Sequence, residues 1–295
     1  MKKIIYPLRK NWPLLTQRPA KSVLVLEKTV KKVFTDVQKN GDAALKKYTL
    51  QFDKVNVSSI KISATELASA KNKLSPELKK AIQLAKNNIE TFHASQKEKV
   101  KIIETVKGVK CWRENRAIDK VGIYIPGGSA PLFSTILMLG VPAKLAGCKK
   151  IILCTPPNKE GKINPAILYT AQLVGISSVY CVGGIQAIAA MTYGTKTITK
   201  VDKLFGPGNQ FVTAAKQFAQ QSGVAIDMPA GPSEVLVIAD KQSNPMFAAA
   251  DLLSQAEHGA DSQVILLSDE QKIIDNTILE LQKQLSMLSR KDIAK

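Results

Sequence analysis

The chain has 295 residues, of which 45% are hydrophobic and 22% are charged. This length and composition support a substantial core in one large or two medium domains. No apolar run approaches the roughly 18 residues of a membrane span, so we expect no membrane partner. Pro7, Arg9, Lys10 and Asn11 interrupt any apolar stretch of a signal peptide, and the four cysteines form no CxxC pair. We therefore expect a cytoplasmic protein with reduced thiols.

The net charge of +18 lies almost entirely in the first 120 residues, which hold 27 basic and 11 acidic side chains against 15 and 13 in the rest. Such an excess is compatible with a nucleic-acid surface. However, the lysines are dispersed through helical patterns, and no aromatic residues interleave a basic cluster. We favour a solvated, lysine-rich helical surface and no nucleic-acid partner, and we keep a polyanion binder as the weaker alternative.

The first hundred residues predict an arm followed by helices. Residues 1–20 are rich in proline and basic residues and show little periodicity. Ser63 and Glu66 fit a capping box, and Ser75 before Pro76 is a typical helix start. After that start, apolar residues recur at helical spacing and predict a buried stripe: Leu78, Ile82, Ala85, Ile89 and Phe92.

From Lys101 the pattern changes to strands, beginning with a predicted hairpin around Lys107-Gly108. Short apolar strands then alternate with glycine-rich turns and helices. The strand-like runs are 121–128, 149–157, 178–184, 201–209 and 225–240. This alternation predicts βαβ units, a parallel sheet and an α/β fold.

Glycine-rich turns follow these strands at 126–129, 206–209 and 229–234. Ligands of α/β sheets bind beyond the carboxyl ends of the strands, so the turns predict a ligand cleft. No GxGxxG sequence occurs, and the usual dinucleotide fingerprint is therefore missing. GxSxG is also missing, which disfavours a Ser-His-Asp hydrolase.

The segment DLLSQAEHGADS, residues 251–262, contains His258, one of only two histidines, three residues after Gln255. Residues at this spacing share a helix face, and Gly259 is a typical helix end. The pair could contribute to a metal or substrate site. Glutamine is not a usual zinc ligand and zinc needs at least three protein donors, so spacing alone favours a structural histidine.

Five long segments together resemble histidinol dehydrogenase. They are 121–157, 182–195, 201–216, 225–240 and 251–267. The resemblance runs from about Val30 to the C-terminus. It implies two Rossmann-like parallel-sheet units with a helical N-terminal region. We expect an arm at 1–20, a first, incomplete α/β domain at 21–123 plus 233–295, and a second α/β domain at 124–232.

The resemblance also implies a zinc-containing, NAD-dependent enzyme of histidine biosynthesis, which oxidises L-histidinol to L-histidine through the aldehyde. Gln255 and His258 match zinc ligands that also touch the substrate, and Ser233 matches a substrate contact. The positions that match NAD contacts are Tyr124, Gln186 and Asn209. The family is a homodimer with one zinc ion per subunit.

The family's acid/base pair, an aspartate ligand and a further histidine ligand match no residue of this chain, which has no histidine after His258. We therefore expect the chain to correspond to the front two-thirds of the enzyme, to lack full activity and to form the dimer poorly. An exposed apolar edge and low solubility would follow. A non-catalytic remnant, or a half-protein that needs a separate C-terminal piece, is the main alternative.

Overall fold

The structure, a computed structural model, describes residues 2–17, 23–127, 131–229, 233–259 and 262–294. Contacts divide the chain into two compact units. The large unit is Val23–Ala230, and the small unit is Met1–Ser22 together with Gly231–Lys295. This grouping differs from the expected division, because it places 23–123 with 124–230. Which residues form a functional domain stays a prediction.

Helices and strands alternate through most of the described residues. The helices are α1 (Trp12–Leu15), α2 (Val23–Asn40), α3 (Asp42–Tyr48), α4 (Ala64–Ser69), α5 (Pro76–Ala94), α6 (Phe133–Ala146), α7 (Pro165–Leu173), α8 (Gly184–Tyr193), α9 (Gln210–Gln221), α10 (Pro245–Ala256), α11 (Gln271–Met287) and α12 (Lys291–Ala294). The strands are β1 (Ile102–Val106), β2 (Val109–Trp112), β3 (Lys120–Tyr124), β4 (Lys150–Thr155), β5 (Ser178–Cys181), β6 (Lys203–Phe205), β7 (Ala225–Ile226), β8 (Glu234–Ala239) and β9 (Gln263–Ser268). The predicted hairpin is confirmed as the antiparallel pair β1–β2.

The large unit contains a five-stranded sheet in the order β5-β4-β3-β6-β7. All four strand pairs are parallel, and Gly122 of β3 lies between Ile152 of β4 and Leu204 of β6. Within this sheet, β3 lies in the centre. The strands β4 and β5 follow on one side of it, and β6 and β7 then lie on the other side. This order places a topological switch point between β3 and β6, where α/β sheets bind nucleotides. The predicted α/β class is confirmed.

Two hydrophobic clusters cover the two faces of this sheet. Neighbouring residues of β4 point to opposite faces, so Ile152 belongs to one cluster and Leu153 to the other. The first cluster includes Phe34 of α2 and Ile188 of α8, while the second includes Ile136 of α6. Both faces are therefore buried, which explains why the strands read as continuous apolar runs.

Local signals at the helix starts are confirmed. The Ser63 hydroxyl accepts a hydrogen bond from the Glu66 amide, and the Ser75 hydroxyl accepts one from the Leu78 amide. The predicted stripe on α5 is wrong at its end, because Phe92 is 63% exposed whereas Ile82 is 1% exposed. Helical periodicity identifies the apolar face of a helix, but it does not say how far the partner surface extends.

The small unit pairs β8 and β9 in parallel, in register from Glu234–Gln263 to Ala239–Ser268. Helix α10 connects the two strands, and α11 follows and packs against α10. The single run predicted at 225–240 is therefore wrong as one strand, since it contains β7 of the large sheet and β8 of the small one. Within the residues that the structure covers, no helix is long and apolar enough to cross a membrane.

Candidate active site

The carboxyl ends of the parallel strands in the large unit bring together the residues predicted to bind a nucleotide. Tyr124 ends β3, Gly184 and Gln186 follow β5 at the start of α8, and Asn209 follows β6. Because the strands are parallel, all of these positions lie along one edge of the sheet. Tyr124 and Asn209 flank the switch point itself.

Tyr124 is 3% exposed, and its phenolic oxygen accepts a hydrogen bond of 3.0 Å from the Gly184 amide. Burial is the main reason that the pKa of Tyr124 rises to about 12. The hydroxyl therefore keeps its proton at neutral pH. A phenol can accept and donate at the same time, so Tyr124 still has a hydrogen to offer a ligand.

Gln186 lies in the first turn of α8 and is fully buried. Neither Nε2 nor Oε1 of its amide has a hydrogen-bond partner among the described residues. A buried amide without a partner is unfavourable by about 1–3 kcal/mol. Such a group fits a site in which a ligand supplies the missing hydrogen bonds.

The turn 206–209 has a conformation that only glycine supports at its first residue. Gly206 has φ +134°, and a Cβ atom there would lie 2.1 Å from the carbonyl oxygen of Tyr124. Asn209 caps α9, its Oδ1 accepting hydrogen bonds of 3.1 Å from the amides of Phe211 and Val212. The exposed Asn209 therefore commits its oxygen to the helix and has its Nδ2 hydrogens left for a ligand.

Asp53 is an ionisable residue near this edge that the sequence reasoning missed. Burial raises its pKa to about 6, and its Oδ2 has no hydrogen-bond partner among the described residues. Its charge acts on Tyr124 and on Cys181 at the end of β5, and it raises the pKa of both. Asp53 ends a short π-helical turn far earlier in the chain, so no local pattern indicated its position.

The predicted substrate residues lie together in the small unit. Gln255 is in the last turn of α10, and its Nε2 donates a hydrogen bond of 3.3 Å to the Ser262 hydroxyl. His258 is exposed and follows the helix in a turn, where its amide donates to the carbonyl of Gln255. The carbonyl of Ser233 accepts from the amide of Gln263, which places Ser233 beside the start of β9.

Zinc fits this pair only in part. The imidazole of His258 and the amide oxygen of Gln255 are two donors, whereas protein zinc sites use three or four. In the described parts of the chain, no three His, Cys, Asp or Glu side chains are close enough to hold a metal ion. Parts of the predicted turns, at 128–130, 230–232 and 260–261, lie outside the described residues.

Comparison with known proteins gives consistent matches over the whole chain. The family model for histidinol dehydrogenase matches residues 16–295. Histidinol dehydrogenase of Bacteroides thetaiotaomicron is 54% identical over 294 residues, which are 100% of this chain and 69% of that protein. The crystal structure of histidinol dehydrogenase from Elizabethkingia anophelis has a TM-score of 0.87 at 61% identity, covering 98% of this chain and 66% of that one. The chain thus spans about two thirds of the length of these relatives.

A more distant likeness concerns the fold alone. A NAD-dependent aldehyde dehydrogenase from Sinorhizobium meliloti has a TM-score of 0.51 at 14% identity, covering 89% of this chain and 54% of that one. The α/β architecture therefore extends beyond the family of the first matches.

Proposed function

Because the chain belongs to the histidinol dehydrogenase family, we propose that it carries the nucleotide-binding and part of the substrate-binding machinery for NAD-dependent oxidation of L-histidinol to L-histidine. The observation that carries the proposal is the switch point of the large sheet. Tyr124, Gln186 and Asn209 meet along the carboxyl edge there, each with hydrogen-bonding capacity that the fold leaves over. That arrangement suits a ligand with many polar groups, and NAD supplies the acceptor for the hydride.

Each of the three nucleotide residues has a distinct role in the proposal. Tyr124 donates its remaining phenolic hydrogen, and Asn209 donates through Nδ2. Gln186 gives and accepts hydrogen bonds through an amide that is otherwise unpartnered. The amino ends of α8 and α9 lie at the same edge, where the positive ends of the two helix dipoles favour the negative pyrophosphate.

Ser233, Gln255 and His258 bind the substrate in the proposal. His258 presents an exposed imidazole, and Gln255 presents an amide oxygen whose own Nε2 is held by Ser262. When further donors complete the coordination, zinc would orient the substrate, with Gln255 and His258 as two of its ligands. The donors in the described chain do not complete such a site, and we assign no acid or base to any of its residues.

NAD binding tests the nucleotide part directly. Gln186→Leu is close to isosteric and removes an unpartnered buried amide, so its unfolding midpoint should stay the same or rise. Its affinity for NAD, measured by titration calorimetry, should fall about tenfold. The matched control is Gln172→Leu on the exposed face of α7, which should leave affinity unchanged. Equal affinity of Gln186→Leu and the unaltered chain would overturn the assignment.

Zinc and turnover test the substrate part. Equilibrium dialysis should detect weak zinc binding that His258→Ala abolishes and His93→Ala leaves intact, since His93 lies on α5 of the large unit. Histidinol oxidation, followed as NAD reduction, should be on the order of 10²–10⁴ below that of a full-length relative, the usual contribution of acid–base catalysis. Adding the part of the relative that this chain does not match should raise the rate. Full turnover by the chain alone would contradict the proposal that acid–base catalysis needs the part of the relative that this chain does not match.

A further inference from the structure

An ion pair between a buried lysine and a partly buried aspartate holds the turn at the switch point. Lys216 lies in the middle of α9 with its side chain 6% exposed, and it forms an ion pair with Asp227, which follows β7. The same Nζ donates a hydrogen bond of 2.8 Å to the carbonyl of Gly206. Oδ2 of Asp227 accepts one of 2.9 Å from the amide of Gly206. Both backbone polar groups of one glycine are therefore fixed by one pair of charges.

Lysine is an unusual residue at this position on the helix. The other buried residues of α9 are Val212, Ala215 and Ala219, all apolar. Burying an ammonium group and a carboxylate is expensive, and an apolar pair of similar volume is often as stable. Stability alone therefore gives little reason for the pair. The two charges instead fix the orientation of the peptide groups on either side of Gly206.

The orientation of Gly206 sets the position of the next three residues. The turn is already confined by the contact of Gly206 with the carbonyl of Tyr124, and Asn209 at its end caps α9. A rotation at Gly206 would move Asn209 and the amino end of α9. The Nδ2 group of Asn209 and the positive end of the helix dipole would then no longer face the ligand at the switch point in the same geometry.

We infer that Lys216 and Asp227 are positioning residues, which hold the turn 206–209 and the amino end of α9 in the geometry that binds the pyrophosphate of a dinucleotide. The inference rests on the proposed nucleotide site. Neither side chain needs to touch the ligand. The pair acts through Gly206, and its two charges compensate each other, so it adds no net charge to the site.

The decisive variant replaces both charges, Lys216→Met with Asp227→Leu. Its thermal unfolding midpoint should fall moderately, because an apolar pair replaces the two charges while the amide and the carbonyl of Gly206 lose their partners. Its affinity for NAD should fall at least tenfold, and the Gly206 amide should exchange its hydrogen at least tenfold faster. The matched control is the exposed pair Lys149 and Asp119 at the amino edge of the sheet, replaced by Met and Leu. That control should change neither affinity nor exchange.

The outcomes separate this inference from the proposed function. Unaltered NAD affinity in the folded double variant would overturn the positioning role. If the unaltered chain itself does not bind NAD, the proposed nucleotide site fails, and unaltered exchange at Gly206 would then overturn the positioning role separately. Should the double variant not fold, Asp227→Asn replaces it, since it keeps an acceptor for the Gly206 amide and removes only the charge. Its expected result is weaker NAD binding with intermediate exchange, and NAD affinity equal to that of the unaltered chain would overturn the inference.

Discussion

The phenolic oxygen of Tyr124 accepts a hydrogen bond from the amide of Gly184, across 3.0 Å. This bond ties the end of β3 to the first residue of α8, although 60 residues separate the two positions. Burial raises the pKa of Tyr124 to about 12, so the oxygen remains a neutral acceptor over the physiological range. The bond therefore positions α8, and it leaves the phenolic hydrogen of Tyr124 available to a ligand.

Replacing Tyr124 by Phe removes the acceptor of the Gly184 amide. We expect a loss of about 1–2 kcal/mol in the free energy of unfolding, because the amide is left without its partner. NAD affinity should fall at the same time, since the phenolic hydrogen proposed to bond NAD is also removed. Urea unfolding and calorimetric titration measure the two effects.

Tyr193→Phe is the matched control for this change. The Tyr193 hydroxyl is bonded to Ser222 at 3.3 Å, at the far end of α8, and it is only partly buried. It should lose less than about 1 kcal/mol and leave NAD affinity unchanged. Similar NAD affinities for both variants would refute a ligand role for Tyr124.

Gly206→Ala tests the close approach at the switch point. The added Cβ would lie 2.1 Å from the Tyr124 carbonyl oxygen, so backbone has to move. Together with the strained φ of +134°, we expect a loss of at least about 3 kcal/mol in unfolding free energy and of NAD binding. Gly108→Ala is the control, since Gly108 also has positive φ but has nothing within 4 Å of its Cβ position. It should lose about 1–2 kcal/mol. Equal losses of unfolding free energy in Gly206→Ala and Gly108→Ala would show that the positive φ causes the loss and that the contact with Tyr124 does not.

Local chemistry could be read from the sequence, and long-range pairing could not. Ser63 and Ser75 were identified as caps because the hydrogen bonds involved span only three residues. The alternation of strands and helices predicted the parallel sheet, because neighbouring parallel strands need a crossover connection, usually a helix. By contrast, the placement of β6 beside β3 depends on pairing between residues far apart in the chain, such as Gly122 and Leu204. Sequence periodicity carries no such information.

The candidate site divides in the same way. The glycine-rich turns indicated the ligand edge, because glycine marks close backbone approaches. Individual residues came from the family resemblance and not from spacing, and their roles stay predictions. Lys216 and Asp227 were missed, since a lysine inside an amphipathic helix reads as a surface residue until its partner is known. Asp53 was missed because its neighbours belong to other elements.

Asp53→Asn should raise stability at neutral pH. Burial puts the pKa of Asp53 at about 6 in the folded chain, above its ordinary 3.8. The folded state therefore binds more protons than the unfolded state between about pH 4 and 6, and stability falls as pH rises through that window. Removing the charge should recover about 1–2 kcal/mol at pH 7, after allowance for solvent screening, and little at pH 4.

Asp36→Asn serves as a comparison with the opposite sign. The hydrogen bond from Lys47 lowers the pKa of Asp36 to about 2. Its contribution is present above the ordinary 3.8 and is lost as pH falls toward 2, so this variant should be less stable at pH 7 by about 1 kcal/mol. Urea unfolding at pH 4 and pH 7 measures both variants. A loss of stability in Asp53→Asn at pH 7 would contradict the proposed burial of the charge.

The two-stranded sheet of the small unit has one exposed apolar face. Leu236 and Ile238 of β8 and Leu267 of β9 are 57%, 73% and 56% exposed, and the register places Ile238 beside Leu267. The opposite face packs on α10. A contiguous apolar sheet face of this kind favours association with other chains. We therefore expect concentration-dependent self-association of this chain.

Leu236→Lys should reduce that association, because it places a charge in the middle of the exposed face. Leu279→Lys is the matched control, since Leu279 is 62% exposed but lies on α11 and not on the sheet face. Sedimentation velocity over a range of concentrations compares the two. The monomer fraction should rise for Leu236→Lys and stay unchanged for Leu279→Lys, whereas equal behaviour would place the association elsewhere on the surface. Because single exposed apolar residues are common on folded proteins, the difference between the two variants isolates the contribution of the contiguous face.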